Sequence, residues 1–387
     1  MTVPSVNWNY PTAIKAGPGR IKELPDWCRE LGMARPLLVT DPGLAALPMI
    51  ADAVRGCRQA GLECGLFHEV KGNPTGKNVD DGVARYREGR HDGVIAFGGG
   101  SALDAAKAIA LMAGQKRPLW DFEDVGDNYL RVNVAGMAPV VAVPTTAGTG
   151  SEVGRASVIT DEAAQVKRII FHARMLPAIV ILDPELTVGL PPRITAATGM
   201  DALSHNLEAY CSPFFHPMAA GIALEGMRMI KEYLPQAVAD GADLQARQQM
   251  LVASSMGATA FQRGLGAMHA LAHPLGALYD AHHGMLNAIL MPYVLKANQH
   301  AVAPRLQALA RYLALPDHSP GAVLDWVLAL RETVGIPHTL ADIGIDDAQA
   351  ERVGRMASED PSGGTNPVAY TPDQYAELFR AAVRGIL

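Results

Sequence analysis

Short apolar runs separated by helical patterns occupy the chain from about residue 36 to 185, and beyond Pro191-Pro192 no further run of that kind appears. The runs are Pro36-Leu-Leu-Val-Thr, Gly65-Leu-Phe-His, Gly93-Val-Ile-Ala-Phe, Pro139-Val-Val-Ala-Val and Ala178-Ile-Val-Ile-Leu. Strands that alternate with helices imply βαβ units, because two parallel neighbours need a long crossover and a helix supplies it. A largely parallel sheet follows. After the break the pattern is amphipathic helix throughout, over 219–233, 244–261, 301–313, 321–334 and 372–386. The expected organisation is an α/β domain over residues 1–188 and an all-α domain over 189–387, which suits a chain of 387 residues. No internal repeat or low-complexity tract interrupts it, and Asp360-Pro-Ser-Gly-Gly-Thr-Asn-Pro reads as a loop between two late helices.

Composition narrows the function classes. With 49% hydrophobic and 19% charged residues the chain can build packed cores and is unlike a disordered one. Its net charge of -6 provides no basic surface for phosphates, so a nucleic-acid partner is not expected. The start, Met1 to Tyr10, has neither a charged leader nor an apolar core segment, and no apolar stretch reaches the roughly 18 residues of a spanning helix. A cytoplasmic protein without a membrane partner is expected. Cys28, Cys57, Cys64 and Cys211 form no Cys-x-x-Cys and are too few for a disulfide framework, so they read as reduced, mostly structural thiols.

The helical half carries a concentration of imidazoles. Residues 264–284 hold His269, His273, His282 and His283, and His205 follows Asp201 by four positions. Any one of these alone is most simply a surface or hydrogen-bonded core histidine. Asp201/His205 and His269/His273 are, however, both i,i+4 pairs, so each pair projects from one helix face and two faces can converge. Ala267, Leu271, Ala272, Leu275 and Leu278 make the surroundings of the second pair apolar, where unpaired polar groups are costly. A bound cation satisfies them together. Imidazole nitrogen with carboxylate oxygen suits a divalent first-row metal such as Fe, Zn, Co, Ni or Mn rather than Ca or Mg.

The first half carries glycine loops at strand ends. In Val94-Ile-Ala-Phe-Gly-Gly-Gly-Ser-Ala-Leu-Asp a strand runs through Gly98, Gly99 and Gly100 into a helix, whose free N–H groups suit a pyrophosphate. Leu103 stands where the usual dinucleotide fingerprint has its third glycine. Ser101 and Asp104 have capping-box-like spacing, which assigns them a helix-starting role first and a ligand role second. The second loop, Val143-Pro-Thr-Thr-Ala-Gly-Thr-Gly-Ser-Glu, offers the hydroxyls of Thr145, Thr146, Thr149 and Ser151 among glycines, suited to phosphate, ribose or carboxamide. Asp41, before Pro42-Gly43, is either a turn-starting residue or an acceptor for a ribose diol that repels a 2′-phosphate and so selects NAD over NADP.

Taken in order, Gly98-Gly-Gly-Ser-Ala-Leu-Asp-Ala-Ala-Lys, Pro144-Thr-Thr-Ala-Gly-Thr-Gly-Ser-Glu-Val, Gly199-Met-Asp-Ala-Leu-Ser-His and His269-x-x-x-His-Pro-Leu-Gly with His283-Gly resemble the iron-containing, group III alcohol dehydrogenases. Asp183-Pro-Glu-Leu-Thr and Thr365-Asn-Pro extend the likeness along essentially the whole chain. The resemblance implies an N-terminal α/β dinucleotide-binding domain, an all-α metal-binding domain and a metal in the cleft between them. It places the metal ligands on Asp201, His205, His269 and His283, and makes His273 the non-ligand histidine beside the nicotinamide. His282 is left without a role. Asn73-Pro74-Thr75 matches a loop near the cofactor and Lys167 a lysine near the nicotinamide ribose. NAD, a divalent metal (Fe ahead of Zn) and assembly at least as a homodimer are implied.

The expected chemistry is oxidation of a small primary alcohol or ω-hydroxy acid, with the metal stabilising the alkoxide, the carbinol carbon giving hydride to NAD, and His273 conducting the proton. Arg155 either pairs with Glu152 or faces a substrate carboxylate. The segments Gly154-Arg-Ala-Ser-Val-Ile-Thr and Lys167-Arg-Ile-Ile-Phe-His look like the 4-hydroxybutyrate dehydrogenase branch, so 4-hydroxybutyrate to succinate semialdehyde is the expected reaction. A neutral alcohol or diol is the second reading. Two rivals stand further off: a cyclase resembling dehydroquinate synthase, which needs more basic residues near the metal than Arg263, and a non-redox metal-binding protein.

Overall fold

The computed structural model of the protein describes residues 6–8 and 12–387, so of the stretch Met1 to Tyr10, read as lacking a leader, only Val6–Trp8 lies within the described residues. Two compact units are present, one of residues up to Thr146 with Gly150–Gly189, the other of Ala147–Thr149 with Leu190–Leu387.

The first unit is built on a sheet of seven strands in the order β1-β2-β9-β6-β5-β3-β4. These are β1 (Val6–Trp8), β2 (Ala13–Ala16), β3 (Pro36–Val39), β4 (Gly65–Phe67), β5 (Gly93–Gly98), β6 (Val140–Pro144) and β9 (Ile179–Leu182), while β7 (Ala156–Asp161) and β8 (Val166–Phe171) pair separately. Within the seven-stranded sheet every pairing is parallel except β1 with β2. The five apolar runs fall on β3, β4, β5, β6 and β9. Every residue of β3, β5, β6 and β9 is buried, because helices cover both faces of a parallel sheet and the strands lose their polar alternation. Leu38, Ile95, Phe97, Val141 and Ile179 point to one face, against Leu24, Ile50 and Val54 of the helices Leu24–Glu30 and Pro48–Gln59. Helix Gly100–Met112 packs on the other. From β3 the chain steps outward to β4 and then returns to β5 on the other side, which puts a topological switch between β3 and β5, where ligands of open α/β sheets bind.

The antiparallel pair β7–β8 carried little signal in the sequence. On its buried side stand Ser157, Ile159 and Asp161, so the hydrophobic period of two is broken by polar residues. Asp161 accepts from Ala163 and Ala164 N–H in the turn and from Arg168 across it.

Beyond Leu182 the described residues contain no strand. The expected helices appear as Pro217–Ala239, Leu244–Ala260, Ala303–Tyr312, Gly321–Thr333 and Pro372–Arg384, around a single core that includes Leu203, Leu207, Met227, Met250, Leu271 and Ile289. Among the described residues no helix is long and apolar enough to cross a membrane. All four cysteines are buried with free thiols.

Candidate metal centre and cofactor loops

Helix Pro192–Cys211 opens on a proline pre-set for the first turn and is buried from Thr195 to Cys211. A helix buried on all sides must satisfy each polar side chain inside the protein. Ser204 donates to Asp201 O, Asn206 to Ala202 O and Ala253 O, and His205 shares its Nδ1 with Gly148 O at 3.2 Å. Those partners leave His205 Nε2 and the Asp201 carboxylate aimed elsewhere. Two further helices, Ala267–Tyr279 and His283–Asn298, bring His269 and His283 to them. One donor atom from each of Asp201, His205, His269 and His283 lies within 4.8 Å of the others. The rings of His205 and His269 stack at 4.7 Å between centroids, and His269 and His283 tilt together at 5.3 Å.

Close packing makes this convergence attainable. A Cβ at Gly284 would stand 2.6 Å from Ala197 O and 3.2 Å from Asp201 Cβ, so only glycine after His283 lets its helix reach the helix of Asp201. His282 caps that same helix, its Nδ1 accepting from Met285 N–H, which gives the residue a role the sequence left open.

Two residues that sequence reasoning missed, Glu208 and Asp360, each hold an imidazole. Glu208, itself buried, accepts His269 Nδ1–H at 2.6 Å and the N–H groups of Gly266 and Met268 at 2.9 and 2.7 Å. It therefore starts helix Ala267–Tyr279, whose own N-cap glycine has no side chain to offer, and fixes Nε2 of His269 as the outward nitrogen. Asn366 accepts from Ala267 N–H, and Thr365 donates to Leu265 O, so the Thr-Asn-Pro motif braces the same helix start. Asp360 faces His273 Nδ1 at 2.8 Å and also accepts from Ser362 N–H.

Burial pushes His205 down to about 4, so its ring is neutral at ordinary pH. For His269 burial also opposes charge, but Glu208 beside it outweighs that and holds its pKa above the usual value. A proton on its Nε2 is one that a cation displaces. Burial acts to raise Asp360, yet His273 and the Ser362 N–H bring it below the usual carboxylate range. Three imidazoles and a carboxylate converging without sulfur fit a divalent first-row metal.

In the first unit Asp41, Gly98, Gly99, Gly100, Ser101, Thr145 and Thr146 stand at or just beyond the ends of β3, β5 and β6. Gly98 has φ 147°, and a Cβ there would stand 2.8 Å from Ala102 Cβ and 3.7 Å from Asp41 Oδ2. Thr145 N–H donates to Gly98 O at 3.0 Å, joining the two loops, and the Thr146 side chain lies against Gly99. The Asp41 Oδ1 caps the short helix Pro42–Ala45 through Leu44 N–H at 2.9 Å, so the turn-starting role is present. Asn73, at φ 52°, accepts from Lys167 Nζ at 2.8 Å, and two residues distant in sequence thereby form one pair.

Two expectations change. The capping box of Ser101 and Asp104 does not form, because the chain enters the helix at Gly100 with Gly99 as N-cap and no side-chain cap. Asp104 instead accepts from Ser151 Oγ and, at 2.9 Å, from Val158 N–H, while Lys107 from the next turn, almost wholly buried, donates to Ser151 O and Ala156 O. The pair fastens the second loop to the first helix. Thr149 of the same loop belongs, with Ala147 and Gly148, to the helical unit. Arg155 does not pair with Glu152: it is exposed, its guanidinium 5.7 Å from the centre of the Phe171 ring, and Glu152 is buried.

Comparison with known proteins agrees with this geometry. Residues 11–184 match the family model described as iron-containing alcohol dehydrogenase, and residues 195–383 its C-terminal counterpart. The chain is 38% identical to a 4-hydroxybutyrate dehydrogenase of Cupriavidus necator, over 97% of this chain and 99% of that protein. It is 34% identical to an NAD-dependent methanol dehydrogenase of Bacillus methanolicus, over 97% and 100% of the two chains. A crystal structure of a 1,3-propanediol oxidoreductase superposes with a TM-score of 0.91 at 35% identity, covering 99% of this chain and all of the other. With both units matched in this way, the chain is an oxidoreductase that belongs to the iron-containing alcohol dehydrogenase family.

Proposed function

We propose that the protein is a metal-dependent, NAD-linked dehydrogenase that interconverts 4-hydroxybutyrate and succinate semialdehyde. The convergence of Asp201, His205, His269 and His283 within 4.8 Å is the observation that carries the metal-dependent part. In this reading those four hold a divalent cation, iron ahead of zinc. When bound, the cation supplies Lewis-acid polarisation of the substrate oxygen and the nicotinamide of NAD supplies the hydride acceptor. The chain's own residues do the rest. His273, its Nδ1 held by Asp360, presents Nε2 to carry the alcohol proton away.

Gly98, Gly99, Gly100 and Ser101 receive the pyrophosphate, since the first-turn N–H groups of helix Gly100–Met112 have no side-chain cap to compete for them. The hydroxyls of Thr145, Thr146 and Thr149 orient the remainder of the cofactor, Asp41 Oδ2 accepts from the adenosine ribose, and the Asn73–Lys167 pair flanks the nicotinamide ribose. Asp104 acts from behind the loop by holding Ser151. A cytoplasmic enzyme assembled at least as a homodimer belongs to the same reading.

Arg155 supports the hydroxy acid, because an exposed guanidinium with no carboxylate partner among the described residues is suited to a substrate carboxylate, and the Cupriavidus necator relative bears the corresponding name. Its place over Phe171, which gives it a partner without any substrate, favours a neutral alcohol or diol as the second reading. Comparing kcat/KM for 4-hydroxybutyrate with 1-butanol and 1,4-butanediol decides between them. A carboxylate held by Arg155 favours the acid by roughly 1.5–3 kcal/mol, about 10–100-fold, and Arg155→Ala removes that margin. No preference for the acid, or one untouched by the substitution, leaves the neutral alcohol as the substrate.

A further inference from the structure

Asn287 lies among the ligand atoms without being one of the expected ligands. It is fully buried, one turn after His283 on helix His283–Asn298, and so on the same face. Its Nδ2 is 2.7 Å from Asp201 Oδ1 and 3.1 Å from both His269 Nε2 and His283 Nε2. The amide orientation follows from these neighbours. His269 donates its Nδ1–H to Glu208, so in the neutral ring its Nε2 is an acceptor, and an Asn oxygen turned the same way would meet Asp201 oxygen to oxygen.

The other end of the amide differs. Asn287 Oδ1 is buried and meets no donor among the described residues, so the contacts of this amide run through its NH2 group. Two N–H bonds face three acceptors. The shortest, to the carboxylate, is charge-assisted, and a carboxylate oxygen has lone pairs for both this donor and a cation.

We propose that Asn287 is a positioning residue of the metal centre: its amide gathers Asp201, His269 and His283 with their donor atoms converged before a cation arrives. The proposal rests on the reading of Asp201, His205, His269 and His283 as metal ligands. It is tested on the full chain, stripped of metal, as the unaltered protein, Asn287→Leu, Asn287→Ala and, as a control, His269→Ala. Zn²⁺ affinity is measured by competition with a chromophoric chelator, and Co²⁺ is added to record the visible spectrum of the site.

The expected result is one ion per chain throughout the Asn287 series, with the Zn²⁺ dissociation constant raised about 10–100-fold in both variants and an altered Co²⁺ spectrum. An unchanged dissociation constant, with metal-free and loaded proteins losing equal amounts in Tm, reduces Asn287 to packing and overturns the proposal. Tighter binding overturns it too, since Asn287 would then compete with the cation. If the unaltered protein binds neither ion, or binds them as well after His269→Ala, the metal reading itself fails, a result visible before any Asn287 variant is considered.

Discussion

The two units meet their chemical tasks with opposite parts of the residue. At the strand ends of the first unit the backbone is the reagent: Gly98 takes a conformation closed to other residues, Gly99 caps a helix that no side chain caps, and loops are tied through main-chain bonds. On the buried helices of the second unit the backbone is fully occupied and the side chains act, each held by another, as Glu208 holds His269 and Asp360 holds His273. A site of the first kind is sensitive above all to an added Cβ. The second kind depends above all on its functional groups, with Gly284, where two helices touch, the exception.

The largest effect is expected where a helix-borne ligand is removed. His269→Ala should leave the helical core in place, since the hydrophobic cluster takes Met268, Ala270 and Leu271 from this helix and not His269, but should abolish retention of the metal and lower turnover roughly a thousandfold or more, the worth of several kcal/mol of charge stabilisation. Metal analysis after dialysis, beside steady-state kinetics, checks it. Undiminished turnover in the metal-free variant would remove the metal from the chemistry and break the contrast between the units.

Next comes Glu208→Gln. The carboxylate meets only donors, so an amide would turn its NH2 towards an N–H group. Metal affinity should fall about 10–100-fold while NAD affinity is unchanged. A loss of both, measured by chelator competition and by NAD fluorescence titration, would show that the two sites are not energetically separate.

What could be read from the sequence follows the same division. β3, β5, β6 and β9 were legible because double burial makes them uninterrupted apolar runs. Asp201/His205 was legible because a helix turns four residues into neighbours. Glu208 is three residues after His205 and Asn287 four after His283, so a stricter search for polar residues at helical spacing on buried helices would have found both. Asp360 could not be found that way, because it meets His273 across 87 residues of chain. The capping box failed for a local reason. Three successive glycines let the helix begin earlier than Ser101, and a spacing that resembles a cap says nothing about where the first turn starts.

The backbone site is probed by adding a single carbon. Gly98→Ala places a Cβ 2.8 Å from that of Ala102 on a residue at φ 147°, with strain of order 1–3 kcal/mol. NAD affinity should fall by at least about tenfold, and the Zn²⁺ dissociation constant should not move. If metal affinity fell as well, the strain would be spreading beyond the loop, and the division between the units would be weaker than drawn.

The smallest effect separates the two roles of Asp41 within one side chain. Oδ1 accepts from Leu44 N–H, while Oδ2 is near the Cβ position of Gly98, on the side of the glycine loop. Asn caps a helix as well as Asp does, so Asp41→Asn keeps the first role and removes the charge needed for the second. Stability should stay within about 0.5 kcal/mol of the unaltered protein, whereas Asp41→Ala, which loses the cap, should cost about 1 kcal/mol. If the carboxylate repels a 2′-phosphate, the preference for NAD over NADP should narrow roughly tenfold in Asp41→Asn, the effect of about 1–2 kcal/mol between like charges at short range. The measurement is the ratio of kcat/KM for the two cofactors. An unchanged ratio in Asp41→Asn, together with the stability loss in Asp41→Ala, would reduce Asp41 to a helix cap and leave cofactor choice to other residues of the loops.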